Sequence, residues 1–473
     1  MPFNASLPPI WREVHDLGAT GAGRLVCQAL LTGAVSGGVI GLFRIAYTRI
    51  NAAVVALVGP AAPTEAAAVA CLFGVLCLMA AAGGWLLRIE PLISGSGIPQ
   101  VELMIAGRIP PMRCLRVLFA KFTGTLISLS AGLSVGREGP CIQMGAAVGL
   151  GVGRLFREGS GPARYLVGGG VAGMTAAFGA PLAGMLFAFE EMRMVLAVPL
   201  VLFCGLSALG AWLVISLAFD LGLVFPFRNL DALAPGQWWL VAVLGPACGV
   251  AGAAYNRLLV GLTLWEDRLQ DVLGLPGAVR VLLPFLCAGG LLLAYPQVIA
   301  GFGPDSLSFE APSLALSALL ILLLVKVAFS CVSFASGVSG GLLMPMLLIG
   351  LMLGGIAAQL LLTHGLVEGG QCGLVLTLCM AGLFAATVRA PLTGSALLLE
   401  MTGAWANAPA VVAAALAAAF TANRLGSAPV YDAIKRRIMK RRARAARIAR
   451  AKGADAVQTA GEKNGGSAVT HRN

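Results

Sequence analysis

Apolar residues follow one another in long stretches along this chain, and most stretches are long enough to cross a lipid bilayer. A transmembrane helix needs about 17–25 predominantly apolar residues. Apolar stretches, most of them at least about that long, occur near 25–43, 66–87, 115–133, 166–189, 196–218, 238–260, 281–295, 314–335, 346–362, 372–399 and 409–422. The pattern therefore predicts an all-α polytopic membrane protein.

Three loops rich in glycine and closed by proline interrupt these stretches, at 94–99, 136–140 and 336–345. In a membrane, non-helical backbone is tolerated only where it is buried in protein or lines a cavity. A helix that begins after such a loop presents free backbone N–H groups, which attract an anion. We therefore expect the three loops to meet at one cavity. Simple packing breaks between helices are the alternative.

An internal repeat supports this arrangement. Residues 180–190 read APLAGMLFAFE and residues 390–400 read APLTGSALLLE, which lie 210 positions apart. Two related halves built from broken helices are typical of transporters, whose site lies at the interface of the repeats. We expect the first repeat at 24–218 and the second at 219–437. The spans alone leave open whether the halves are parallel or inverted.

Composition agrees with a membrane protein, since 58% of the 473 residues are hydrophobic and 11% are charged, against about 25% charged in soluble domains. Much of the net charge of +12 lies at 435–452. Basic segments beside spans stay in the cytoplasm. We expect a cytoplasmic, basic and disordered tail at 438–473, a cytoplasmic N-terminal segment at 1–23, contact with the lipid bilayer and no nucleic-acid partner.

Enzyme chemistry finds little support in the sequence. The eleven cysteines are scattered without a C-x-x-C pair, and no two of the three histidines have the spacing of metal ligands. No serine–histidine or paired-aspartate arrangement typical of an intramembrane enzyme occurs. We expect no metal, no cofactor and no enzymatic activity.

Glu138 is the most informative charged residue. A comparable ionisable side chain at mid-membrane costs roughly 2.5–3.5 kcal/mol, so the pair Arg137-Glu138 should face a cavity or a partner. Pro140 suits the first turn of a helix, and the free amides there would attract an anion at the position of Glu138. A carboxylate that competes with an anion for one site would act as a gate. A capped helix start with an interfacial ion pair is the alternative.

These motifs together resemble the CLC family of chloride channels and proton/chloride exchangers. The resemblance rests on GSGIP at 95–99, GREGP at 136–140, EEMR at 190–193 and the glycine-rich loop that ends at Pro345. It is closest to the prokaryotic type, which has no regulatory CBS domains. It implies an inverted repeat of broken and tilted helices, a homodimer with an ion path in each subunit, and a bacterial inner membrane.

The resemblance also implies roles for individual residues, with chloride and protons as the transported ions. The anion-binding positions would be Ser96, Arg137, Gly139, Leu342, Leu343 and Tyr431. Backbone amides would serve at all of these positions except Ser96 and Tyr431, which would offer hydroxyl groups. Glu138 matches the gating glutamate that accepts a proton from outside. Glu191 matches the internal proton-transfer glutamate of the exchangers.

Glu191 favours an exchanger, a secondary active antiporter, because channels of the family generally have an apolar residue there. A passive, voltage- or pH-gated chloride channel is the alternative. Glu190 has a counterpart in the repeat, Glu400, which indicates a structural role at a helix end. Two positions depart from the family pattern: Leu343 replaces an aromatic residue, which puts selectivity and rate in doubt, and Gln100 replaces an acidic one. Ser96 and Glu191 together favour chloride over fluoride.

Overall fold

The fold is built from helices joined by short loops. The structure, a computed structural model, describes residues 22–58, 65–156, 162–219, 232–273, 277–294 and 315–444. In the first half the helices are α1 Ala22–Val58, α2 Ala66–Ile89, α3 Ile98–Ile105, α4 Cys114–Ser130, α5 Glu138–Leu155, α6 Pro162–Phe178, α7 Pro181–Glu190 and α8 Val198–Ala218. In the second half they are α9 Trp239–Leu273, α10 Gly277–Ala294, α11 Leu316–Ala335, α12 Leu343–Thr363, α13 Cys372–Val388, α14 Pro391–Thr402, α15 Ala408–Arg424 and α16 at 430–444.

The prediction of an all-α polytopic membrane protein is confirmed. Within the described ranges, eight helical segments are long and apolar enough to cross a bilayer. The centre of the bundle is almost wholly buried, since α6 and α13 are covered along nearly their full lengths. Both are hydrophobic all round, as expected of helices enclosed by other helices.

Three predicted boundaries differ from the structure. The first helix does not end at Arg44 but continues to Val58. Arg44 is buried there and donates a hydrogen bond to the carbonyl of Ala176 at 3.1 Å, so its charge is accommodated inside the bundle. The helix predicted near 238–260 continues to Leu273. Residues 438–444, which we expected to be disordered, are helical because ion pairs hold them against the end of α9.

Some expectations fall on residues that the structure does not describe. These are most of the N-terminal segment at 1–23, the tail from residue 445 onward, and the region at 220–231 next to the predicted boundary between the repeats. The boundaries of the two repeats stay predictions.

The two halves repeat the same order of helices. The series α4 to α8 in the first half corresponds to α11 to α15 in the second, with a glycine-rich loop before α5 and before α12 in the same place. Helices α7 and α14 pack against each other. The end of each lies beside the start of the other, so the two copies run in opposite directions, as an inverted repeat requires.

Glu190 and Glu400 hold this antiparallel pair together. The carboxylate of Glu190 accepts hydrogen bonds from the backbone N–H groups of Leu392 and Thr393, at 3.1 and 2.6 Å. In return, the carboxylate of Glu400 accepts those of Leu182 and Ala183, at 2.9 and 2.8 Å. Each glutamate therefore caps the first turn of the partner helix, where four N–H groups lack an acceptor. The structural role that the repeat indicated for Glu190 is confirmed.

We expect Glu190→Gln and Glu400→Gln to destabilise the protein by similar amounts, about 1–2 kcal/mol each, because each removes one charged acceptor from a helix start. The measurement is the thermal unfolding midpoint of the purified protein in detergent. Glu65→Gln is the matched control, since Glu65 is exposed and its side chain caps nothing. A drop for one variant of the pair and not for the other would contradict the symmetric role.

Candidate functional site

The three glycine-rich loops meet in the middle of the bundle, as the sequence predicted. The N–H of Gly95 donates to the carbonyl of Val338 at 3.0 Å, and the N–H of Gly340 donates to the carbonyl of Gly95 at 3.1 Å. Gly136 and Gly341 exchange two backbone hydrogen bonds of 2.7 and 2.5 Å. The loops thus satisfy one another's polar groups where no helix does, which is what non-helical backbone in a membrane requires.

Side chains reinforce this junction. The buried ammonium of Lys121 donates to the carbonyls of Ile93 at 2.8 Å and of Gly95 at 2.6 Å. The hydroxyl of Ser94 donates to the carbonyl of Gly337 at 2.9 Å. The first loop is therefore fixed both to α4 and to the loop of the second half.

Three helices begin at this junction. α3 follows Gly97, α5 begins at Glu138 after Arg137, and α12 begins at Leu343 after Leu342. The start of α5 lies two residues before the proline at which we predicted it. Each start directs positive dipole ends and free N–H groups toward the junction.

The carboxylate of Glu138 occupies the space between two of these helix starts. Its side chain is fully buried. One carboxylate oxygen accepts the backbone N–H of Met344, in the first turn of α12, at 3.4 Å. The same oxygen lies so close to Gly136 that a Cβ there would stand 2.2 Å from it. The carboxylate thus lies where two helix starts present backbone N–H groups.

Ser96 lies against the start of α5. A Cβ on Gly139 would stand 2.1 Å from the Oγ atom of Ser96, so only glycine permits this contact. The Oγ of Ser96 and the hydroxyl of Tyr431 are both buried without a well-formed hydrogen bond. The two hydroxyls nevertheless interact with each other. Tyr431 also interacts electrostatically with Glu138 and Glu191. The structure therefore brings together the residues predicted to bind an anion.

Arg137 is the residue directly before α5. Its guanidinium interacts with the charge of Glu138 and with that of the buried Arg44. The expectation that its amide and not its side chain binds an anion stays a prediction.

Glu191 is buried directly after α7, beside a cluster of charged groups. It interacts most strongly with Glu102, and also with Lys435, Asp432 and Arg193. Arg193, the partner that an interfacial role for Glu191 would need, instead pairs with Asp432 at 2.7 Å.

Lys435 bridges the acidic groups of this cluster, since it pairs with Glu102 and with Asp432, the latter at 2.8 Å. Burial raises the pKa of Glu102 to about 7, against the opposing charge of Lys435. Partial burial favours a protonated Asp432, but hydrogen bonds from Lys435 and Arg193 lower the pKa of Asp432 below its ordinary value. Burial therefore favours the protonated form of Glu102, whereas the hydrogen bonds favour the ionised form of Asp432.

No role was predicted from the sequence for two residues that hold the first loop. Lys121 is one of them, although the cost of a lone lysine in an apolar stretch is itself a signal of a buried partner. Gln100 was noted only as a departure from the family pattern. Its amide donates to the carbonyl of Ser94 at 2.7 Å, a hydrogen bond that an ionised carboxylate could not donate.

Spanning helices, two inverted halves and interrupted helices that meet at a buried polar centre define an integral membrane protein of the transporter and channel type. The chain belongs to the voltage gated chloride channel family, the CLC family, whose family model matches residues 77–423.

Curated relatives are transporters. The H(+)/Cl(-) exchange transporter ClcA of Vibrio parahaemolyticus is 34% identical over 366 residues, which cover 75% of this chain and 76% of that protein. The ClcA protein of Citrobacter koseri is 33% identical over 435 residues, which cover 87% of this chain and 88% of that protein.

Solved structures share the fold. A slow cyanobacterial Cl-/H+ antiporter superposes with a TM-score of 0.79 at 27% identity, covering 88% of this chain and 98% of that one. A CLC-type fluoride/proton antiporter superposes with a TM-score of 0.68 at 19% identity, covering 88% and 98% of the two chains. At that identity, the second comparison supports the fold alone.

The contact between Gly139 and Ser96 predicts that alanine substitutions at two glycines of α5 change the stability of the protein in opposite directions. Gly139→Ala should lower the thermal unfolding midpoint, because the new methyl group would overlap Ser96. Gly151→Ala, where a Cβ meets open space, should raise stability by about 0.5–1 kcal/mol through helix propensity. Thermal unfolding in detergent checks both. Equal shifts in the two variants would show that α5 can move away from Ser96.

Proposed function

We propose that this protein is a secondary active antiporter that exchanges chloride for protons across a membrane. The observation that carries the proposal is the position of Glu138. Its carboxylate is held at the starts of α5 and α12, where an anion would bind. Carboxylate and chloride therefore compete for one site, and protonation of Glu138 favours the anion.

Chloride binding is assigned to the groups around this carboxylate. The hydroxyls of Ser96 and Tyr431 are buried and lack strong partners, so both can donate to an anion. The backbone amides at Gly139, Leu342 and Leu343 belong to helix starts and add donors without a full positive charge. Such a site binds weakly enough to release its ion, which permeation requires.

The proton path is assigned to two glutamates. Glu138 exchanges protons with the outer side and Glu191 with the inner side. The hydroxyl of Tyr431 interacts electrostatically with both carboxyl groups. Glu102 and Lys435, beside Glu191, complete the inner cluster. Coupled transport needs a titratable group reachable from each side, and this pair supplies it. Glu138 thus serves both ions.

We further assign the protein to a bacterial inner membrane as a homodimer, with both termini in the cytoplasm. The names of the bacterial relatives support chloride and proton exchange. The basic helix α16 and the basic sequence after it support a cytoplasmic C-terminus by the positive-inside rule.

The first test is proton movement in proteoliposomes driven only by a chloride gradient, with the voltage clamped by a potassium ionophore. Uphill proton movement is expected. Chloride flux without proton movement would contradict exchange and would indicate the alternative, a passive chloride channel with the same anion site.

Substitution of the two glutamates should separate the two ions. Glu138→Gln and Glu191→Gln should each abolish proton movement while chloride flux continues, because each removes one titratable group from the path. Simultaneous recording of chloride and proton flux in proteoliposomes measures this. Glu368→Gln, an exposed carboxyl outside the site, is the control. Intact coupling in Glu191→Gln would overturn its assignment.

Loss of either hydroxyl should weaken chloride binding. Ser96→Ala and Tyr431→Phe each remove one donor, which we expect to cost about 1 kcal/mol, or about fivefold in affinity. Calorimetric titration of the purified protein with chloride measures the affinity. Ser130→Ala is the control, since that hydroxyl is also buried and unpaired but lies at the end of α4. Unchanged affinity in both variants would remove the two hydroxyls from the site.

A further inference from the structure

A cavity of about 680 Å³ leads to the junction of the three loops. Gly95 and Ser96 are among its lining residues. One wall is the face of α16 that carries Ile434, Arg437, Ile438 and Arg441 at helical spacing. A second wall is the segment that joins α3 to α4. The cavity therefore reaches a residue of the proposed anion site.

Arginines dominate the charge of this cavity. Its walls contain Arg113, Arg116, Arg437, Arg441 and Arg442, against a single acidic residue, Glu90. Glu90 is already paired with Arg116 at 3.2 Å. The cavity thus holds a clear excess of positive charge.

Two of the five guanidinium groups lack acidic partners among the described residues. Arg437 and Arg441 share one carboxylate outside the cavity, Asp267, at 2.6 and 3.4 Å. Arg113 and Arg442 are exposed, belong to these two different walls, and form none of the ion pairs observed in the described part of the chain. These two side chains can turn toward a ligand without breaking an existing ion pair.

The size and chemistry of the cavity fit a ligand larger than a halide. Small-molecule sites occupy about 300–1,000 Å³, and a chloride ion would fill only a small part of this cavity. Guanidinium groups match the paired oxygens of phosphate in a bidentate way. Pro110, Pro111 and the two isoleucines of α16 supply apolar surface for an organic body beside the charges.

We propose that this cavity binds a multiply charged phosphate anion, of the pyrophosphate or nucleoside diphosphate type, and that the bound anion blocks the inner end of the chloride path. Arg113 and Arg442 clasp the phosphate groups from the two walls. The ligand is too large to pass Ser96, so it stops chloride without being transported. The blocking step rests on the proposed function, whereas binding does not.

Binding is tested first, with the full-length purified protein and inorganic pyrophosphate or ADP in calorimetric titrations at fixed chloride. Saturable binding is expected. The double variant Arg113→Gln/Arg442→Gln should bind about tenfold more weakly, because two charged contacts are lost. Arg108→Gln/Arg436→Gln is the matched control, with two exposed arginines from the same two segments that do not line the cavity. Absence of saturable binding, or equal weakening in the control, overturns the site.

Blocking is tested in proteoliposomes that contain pyrophosphate on the side of α16. Chloride flux should fall with the affinity measured by calorimetry, and the double variant should resist. Binding without any change in flux would overturn the blocking step alone. If pyrophosphate inhibits chloride flux but no proton movement accompanies that flux, the result would contradict antiport and would still support the blocking site.

Vesicle composition distinguishes a soluble phosphate from a lipid headgroup. In neutral phosphatidylcholine vesicles and in vesicles with phosphatidylglycerol, pyrophosphate should inhibit equally, because the ligand comes from solution. Inhibition that is present in neutral vesicles but absent in anionic vesicles, with the double variant uninhibited in both, would assign the two arginines to a lipid phosphate. That result would overturn the soluble ligand.

Discussion

The backbone pairing between glycine-rich loops is the interaction on which the rest of this structure depends. Ion coordination by helix starts requires that helices be interrupted inside the bilayer, and every interruption exposes N–H and C=O groups that lipid cannot satisfy. Here the loops satisfy these groups in one another, because Gly95 and Gly136 form backbone hydrogen bonds with the loop of the second half. Lys121 provides two further hydrogen bonds. The free N–H groups that remain are those at the helix starts, where a ligand can use them.

Inversion of the two halves makes this solution possible. Because the halves run in opposite directions, the starts of α5 and α12 approach the same point from opposite sides of the membrane, and neither end of the path is favoured by the fold. The reciprocal caps of Glu190 and Glu400 preserve the relation elsewhere in the bundle. Direction is introduced only by residues that break the symmetry. Glu191, for example, has Met401 as its counterpart.

Much of the fold could be predicted from the sequence, because membrane spans depend on local composition. The loops were predictable for the same reason, since glycine and proline inside apolar stretches have few other uses. The predictions were wrong at the ends of some individual helices. Arg44 indicated a helix end, yet its guanidinium donates a hydrogen bond to a carbonyl 132 positions away. Residues 438–444 indicated disorder, yet acidic groups near the end of α9 hold them. Such distant partners leave no mark in local sequence.

The separation of the paired loops along the chain has a consequence for biosynthesis. The hydroxyl of Ser94 and the carbonyl that accepts it are 243 residues apart. At about 5–20 residues per second of translation, the first loop waits roughly 12–50 s for its partner. During that interval the N–H of Gly95 lacks the acceptor that the second half supplies. The first half therefore cannot complete this junction before the second half is inserted.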